Sequence, residues 1–181
     1  TSGWFHAGGT AAERVGLARA VLRAPARPAA VLMSPGSLDV ELTGADGDVV
    51  APDGWVARPA PPPPFTAPGH LTVGVPPARL GLLAQALEEE GFGYEAQMGV
   101  GCCAVAVADR PAAVAVRGLA EDLGGHAVLA RDALGIDIDP WGAPPAGLTQ
   151  MRRLRDAFDP AGILNPGHFV GDAALAAGAA R

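Results

Sequence analysis

The chain has 181 residues, 49% of them hydrophobic, enough for one sizeable core and too apolar for disorder throughout. Its formal net charge of -6 argues against a nucleic-acid partner. All 13 basic residues are Arg, which removes Schiff-base lysine chemistry and the P-loop lysine together. The 25 Gly and 18 Pro forecast long loops around a modest core.

The chain opens on Thr1, as a processed product or a fragment of a longer protein would. A helix is expected from Thr10, because Thr10 and Glu13 have capping-box spacing. Val15, Ala18 and Leu22 then share its apolar face, and Pro25 and Pro28 stop it. Residues 29–33 and 38–43 read as strands around the turn Ser34-Pro35-Gly36-Ser37, and Asp46-Gly47-Asp48 reads as a second turn. Residues 59–68 hold four consecutive prolines, 61–64, and read as an extended linker or surface loop.

Beyond the linker the pattern is regular. Residues 71–75 form a strand. Pro76-Pro77 then opens a helix with Leu80, Leu83, Ala84 and Leu87 on its apolar face, and Gly91 ends it. Strands follow at 94–98 and 102–108. Asp109 caps a helix with Val116, Leu119, Ala120 and Leu123 facing inward, and a last strand covers 126–130. Strand-helix-strand occurring twice predicts an α+β, ferredoxin-like βαβ-βαβ domain: a four-stranded antiparallel sheet with both helices on one face. The expected organisation is an N-terminal helix and strand extension at 1–58, a Pro-rich linker at 59–70, the ferredoxin-like domain at 71–140, and a C-terminal helix and loop at 141–181. In that last segment Leu148, Met151, Leu154 and Phe158 are expected on the inner side of the helix.

The chemistry-bearing residues are sparse. Cys102 and Cys103 are adjacent, which makes neither a disulfide nor a metal framework, and one of them is expected inside a strand. A reducing, cytoplasmic setting follows. No apolar run reaches about 18 residues, so no transmembrane segment is expected. His6, His70, His126 and His168 are scattered without metal-ligand spacing, so no metal is expected. Glu88-Glu89-Glu90 and Glu121-Asp122 read as solvated helix ends, and Ser2, Ser34 and Ser37 lack a nucleophile-elbow context.

The tail carries a resemblance. Met151-Arg152-Arg153-Leu154-Arg155-Asp156-Ala157-Phe158-Asp159-Pro160, then Ile163-Leu164-Asn165-Pro166-Gly167, resembles the C-terminal signature of FAD-linked oxidases, the flavoproteins related to vanillyl-alcohol oxidase, glycolate oxidase and D-lactate dehydrogenase. Residues 71–141, through Leu71-Thr72-Val73-Gly74-Val75-Pro76-Pro77, Gly124-Gly125-His126-Ala127 and Trp141-Gly142, are similar to that family's cap domain, most of all to the glycolate oxidase E subunit. The resemblance implies FAD in the intact protein, held by an N-terminal domain with a Gly-rich loop that this chain lacks. It implies a 2-hydroxy acid substrate, partner subunits of the glycolate oxidase type, and membrane association only through those partners. It places Asn165, Pro166 and Gly167 at the flavin boundary, where the Asn165 amide either meets the flavin or caps its own turn. Arg152 and Arg155 become candidates for an anionic hydroxy acid or a flavin phosphate. No catalytic residue is assigned, and the isolated chain is expected to be inactive and without FAD. The alternatives are a catalytic D-2-hydroxy-acid dehydrogenase cap and a stand-alone ferredoxin-like ligand-binding or assembly module.

Overall fold

The computed structural model describes residues 2–25, 28–44, 51–167 and 169–170; the expected turn at 46–48 and His168 lie outside them. The chain forms two compact units, Thr1–Ile136 and Asp137–Arg181.

The first unit is built on one eight-stranded antiparallel sheet. In chain order its elements are β1 (Ser2–Ala7), α1 (Ala11–Arg23), β2 (Pro28–Ser34), β3 (Ser37–Thr43), β4 (Val56–Arg58), β5 (Gly69–Gly74), α2 (Leu80–Glu89), β6 (Tyr94–Gln97), β7 (Cys102–Ala106), α3 (Arg110–Asp122) and β8 (His126–Asp132). The sheet order is β4-β1-β3-β2-β6-β7-β5-β8. Within the second half, β5 lies between β7 and β8, and β7 lies between β5 and β6, the ferredoxin-like arrangement expected from the sequence. The first half has the same strand order, β4-β1-β3-β2, so the strands of 1–58 repeat the topology of 69–132 and continue its sheet. The halves meet edge to edge where β2 pairs with β6, Leu32 opposite Gln97 and Met33 opposite Ala96.

The expected local signals hold this frame. Thr10 and Glu13 form the capping box, with the Glu13 carboxylate accepting from the Thr10 amide at 2.8 Å. Those hydrogen bonds pull the Glu13 pKa below the usual carboxylate value. Pro77 opens a single 3-10 turn ahead of α2 rather than α-helix itself. Gly91 closes α2: the Phe92 amide donates to the Leu87 carbonyl at 2.8 Å and the Gly91 amide to Glu88 at 3.1 Å, a Schellman pair. The same pair ends α3 at Gly124 and Gly125.

Strand alternation divides the sheet into two faces. Val31, Met33, Leu38, Val40, Leu71, Val73, Tyr94, Ala96, Cys103 and Val105 are buried on the helix side, with Val15, Ala18, Leu80, Leu83, Ala84, Leu87, Val116 and Ala120 over them. Leu22, expected with Val15 and Ala18, is exposed instead, because it lies in the last turn of α1. Cys103 is the inward cysteine, and burial pushes its thiol pKa upward.

The helix layer is tied across the joint between the halves by a buried cation. Arg14 is 1% exposed. Its guanidinium donates to both Glu88 oxygens at 2.6 and 2.7 Å, to Gly9 O at 3.1 Å, to Ser37 O at 3.3 Å, and to Ser34 O. Tyr94 donates to the same Glu88 at 2.5 Å, and its own pKa is raised, first by burial and then by that bond. Glu88, expected to be solvated like its neighbours, is therefore a structural ion-pair partner; Glu89 and Glu90 are exposed.

The Pro-rich segment also has a defined course. It must carry the chain from β4 to β5, six strand intervals apart, about 29 Å at the usual strand spacing. The steps from Arg58 to Gly69 reach about 34 Å in polyproline II geometry. Little slack remains, so consecutive prolines suit the crossing: they hold an extended path at low entropic cost. Pro62, Pro63, Pro64, Phe65 and Thr66 lie against Leu32, Asp39 and Glu95, on the face turned away from the helices.

Candidate functional site

The resemblance concentrates on the second unit, and the helix there is arranged in an unexpected way. α4 (Leu148–Phe158) contains no buried residue. Met151, Leu154 and Phe158, expected on its inner side, are exposed, Phe158 at 82%. The positions that are covered, wholly or in part, are Leu148, Arg152, Arg155 and Asp159. At i, i+4, i+7 and i+11 these share a face, so the covered side of the helix carries Arg152 and Arg155 while its apolar stripe is exposed.

Asp159 explains the turn that follows. It is 9% exposed. One carboxylate oxygen accepts from Ile163 N at 3.0 Å and the other from Leu164 N at 2.8 Å. The Asp159 amide donates back to Arg155 O at 2.7 Å. These bonds satisfy loop amides that a Pro- and Gly-rich segment cannot pair in a ladder. They leave the Ile163 and Leu164 side chains outside, 74% and 69% exposed. With Trp141, Met151, Leu154 and Phe158 they give this unit six large apolar side chains in contact with solvent among its described residues.

Asn165 follows in the left-handed region at φ 46°, the one non-glycine residue with positive φ among those described. Asn tolerates that conformation better than most residues, which accounts for its place before Pro166. Arg155 lies 4.6 Å from the centroid of the Phe169 ring and 3.3 Å from the Asp156 carboxylate. Arg155, Asp159, Asn165, Pro166, Gly167 and Phe169 together line a cleft of about 300 Å³. Of the sequence candidates, the structure brings Arg155 and the Asn-Pro-Gly loop together. Arg152 is half-buried one turn earlier and does not line the cleft. Asp159 and Phe169 were missed as organising residues; the Asp-Pro step after the helix was the available signal for the first.

Asp139 accepts from Trp141 N at 2.8 Å and Gly142 N at 3.2 Å, a local turn. Among the described residues no group of three or more His, Cys, Asp and Glu is arranged to hold a metal, and no helix is long and apolar enough to cross a membrane.

An α+β sheet unit joined to a short segment that exposes its apolar side is the class of molecule these features define. Residues 139–169 match the family model described as FAD linked oxidases, C-terminal domain. The match spans about a sixth of the chain and contains α4, Asp159 and the Asn-Pro-Gly loop. It supports a place for this segment in the C-terminal region of an FAD-linked oxidoreductase. No curated protein and no solved structure matches the chain.

Proposed function

We propose that this chain is the cap-side, C-terminal region of an FAD-dependent oxidoreductase acting on a 2-hydroxy acid, most like the glycolate oxidase E subunit, and inactive without an FAD-binding domain. The observation that carries the reading is the outward apolar stripe of α4 and its loop, within the segment that matches the oxidase family. Water-exposed apolar side chains at helical spacing are costly unless a second surface covers them. The FAD-binding domain is the partner proposed here.

The cleft residues suit the rim of a flavin site rather than its body. About 300 Å³ is the lower end of small-molecule pockets, too small for a dinucleotide. The polar side chains lining it are the Arg155 guanidinium, the Asn165 amide and two carboxylates, Asp156 beside Arg155 and Asp159 with its oxygens already taken by loop amides. Asn165 is proposed to contact the flavin edge, with Pro166 and Gly167 fixing the approach of its backbone. Arg155, steadied by Phe169 and Asp156, is proposed to attract the carboxylate of the hydroxy acid, with Arg152 adding positive charge one turn away. When bound, FAD would supply the electron acceptor; this chain would orient the acid and exclude water.

Co-expression with an FAD-binding oxidase domain tests the reading. The expected result is a single yellow complex on gel filtration that oxidises a 2-hydroxy acid. Separate elution of the two chains would overturn it, as would full flavin occupancy in this chain alone.

A further inference from the structure

We infer that the cleft between the proline strap and the sheet is a binding site for a small organic monocation, an ammonium or guanidinium on a compact apolar body. The cleft holds about 440 Å³. Its outer wall is the strap, with Pro62 and Phe65, and its inner wall includes Leu32. Nearly all the reach of the strap is used in crossing six strand intervals, so the cleft exists before any ligand arrives and little ordering entropy remains to oppose binding.

The polar groups on the sheet side set the charge of the occupant. Asp39 is 3% exposed and already satisfied, by the Arg58 guanidinium and by the Ser37 hydroxyl at 2.8 Å. Glu95 is different. It lines the same cleft and is half-buried, and its carboxylate takes part in no hydrogen bond or ion pair among the described residues. Burial and the neighbouring Asp39 charge both raise its pKa, the signature of a carboxylate in want of a donor. A bound cation would supply that donor, while its apolar body would displace water from Pro62, Phe65 and Leu32. An anion would meet two carboxylates and a guanidinium that is already engaged. This inference is independent of the flavin reading, because every residue in it belongs to the sheet unit.

Benzylammonium, benzyl alcohol and benzoate are suitable probes, titrated into the full chain at low ionic strength and followed by NMR shifts of strap and β6 amides. Benzylammonium should bind best, with benzyl alcohol roughly tenfold weaker and Glu95→Gln costing a similar factor. Glu95 is half-exposed on its strand, so this variant keeps the fold, which amide exchange would verify. Replacing Pro62, Pro63 and Pro64 by Gly should weaken binding with Glu95 intact. Equal binding of the amine and the alcohol, undiminished binding to the E95Q variant, or no shift with any probe would overturn the inference.

Discussion

α3 and α4 are helices of similar length with apolar and polar sides, yet they use those sides in opposite ways. α3 buries Ala113, Val116 and Ala120 within the sheet unit and leaves Val114 as an exposed exception. α4 buries nothing, half-covers Arg152 and Arg155, and presents Met151, Leu154 and Phe158 to solvent. An amphipathic pattern therefore establishes that a complementary surface exists. It does not establish that the surface belongs to the same chain. The sheet unit covers the apolar faces of its helices within itself, and its buried cation Arg14 is fully paired. The tail is satisfied only in its backbone, through Asp159.

If that contrast is right, the largest losses of stability come from the sheet unit, and Arg14 is the severest case. Arg14→Met strands Glu88 and removes donors from three backbone carbonyls. Breaking a buried pair from one side costs about 3–5 kcal/mol, to be read as a fall in the urea midpoint with unchanged slope. A loss comparable to that of a surface substitution would mean the two halves are not held together at this point.

Gly81 tests the helix contact beside it. A Cβ there would meet Val15 Cγ1 at 2.7 Å, whereas Gly118 in α3 has nothing within 4 Å. Gly81→Ala should cost about 1–3 kcal/mol through overpacking, while Gly118→Ala should gain roughly 0.5–1 kcal/mol. Urea denaturation of the pair distinguishes close helix packing from mere helix propensity.

Much of this frame was legible in the sequence, because local chemistry and tertiary packing agree in it. The Thr10 capping box, the Asp109 cap and the Leu80, Leu83, Ala84 and Leu87 face each follow from spacing alone, and each is present. The repeated strand order was hidden for a physical reason. The pairing of β2 with β6 is a long-range contact between short edges, and periodicity carries no information on which edges meet. Arg14 was hidden because an arginine in a helix ordinarily reads as solvated; its position four residues before buried Ala18 was the clue. The proline strap was read as a spacer, since its composition gives extension but not destination. In the tail the composition of the loop was legible, while the direction of α4 was not: the hydrophobic stripe was visible, but the surface that would cover it is not in the described residues.

Asn165 probes the loop itself. Its left-handed backbone predicts that Asn165→Val costs about 1–2 kcal/mol locally, while Asn165→Gly is close to neutral. Because this loop lies in the small unit, amide exchange of residues 159–167 is the appropriate measurement, rather than global unfolding. If the amide serves only its own turn, the glycine variant will still assemble with an FAD-binding domain. If the amide contacts the flavin, that variant will fold normally and assemble or bind flavin less well.

The smallest expected effect on stability is the most informative about function. Leu154→Ser and Phe158→Ser remove apolar side chains that touch little in this chain, so unfolding free energy should move by no more than about 0.5 kcal/mol. The same changes should abolish or strongly weaken co-elution with an FAD-binding domain, because they remove apolar area from the proposed contact. They should also improve solubility of the isolated chain by breaking its exposed patch. A marked loss of thermal stability in Leu154→Ser would show instead that α4 packs its apolar side within this chain. The contrast with α3 would then disappear, and with it the reason to seek the missing surface in a flavin-binding partner.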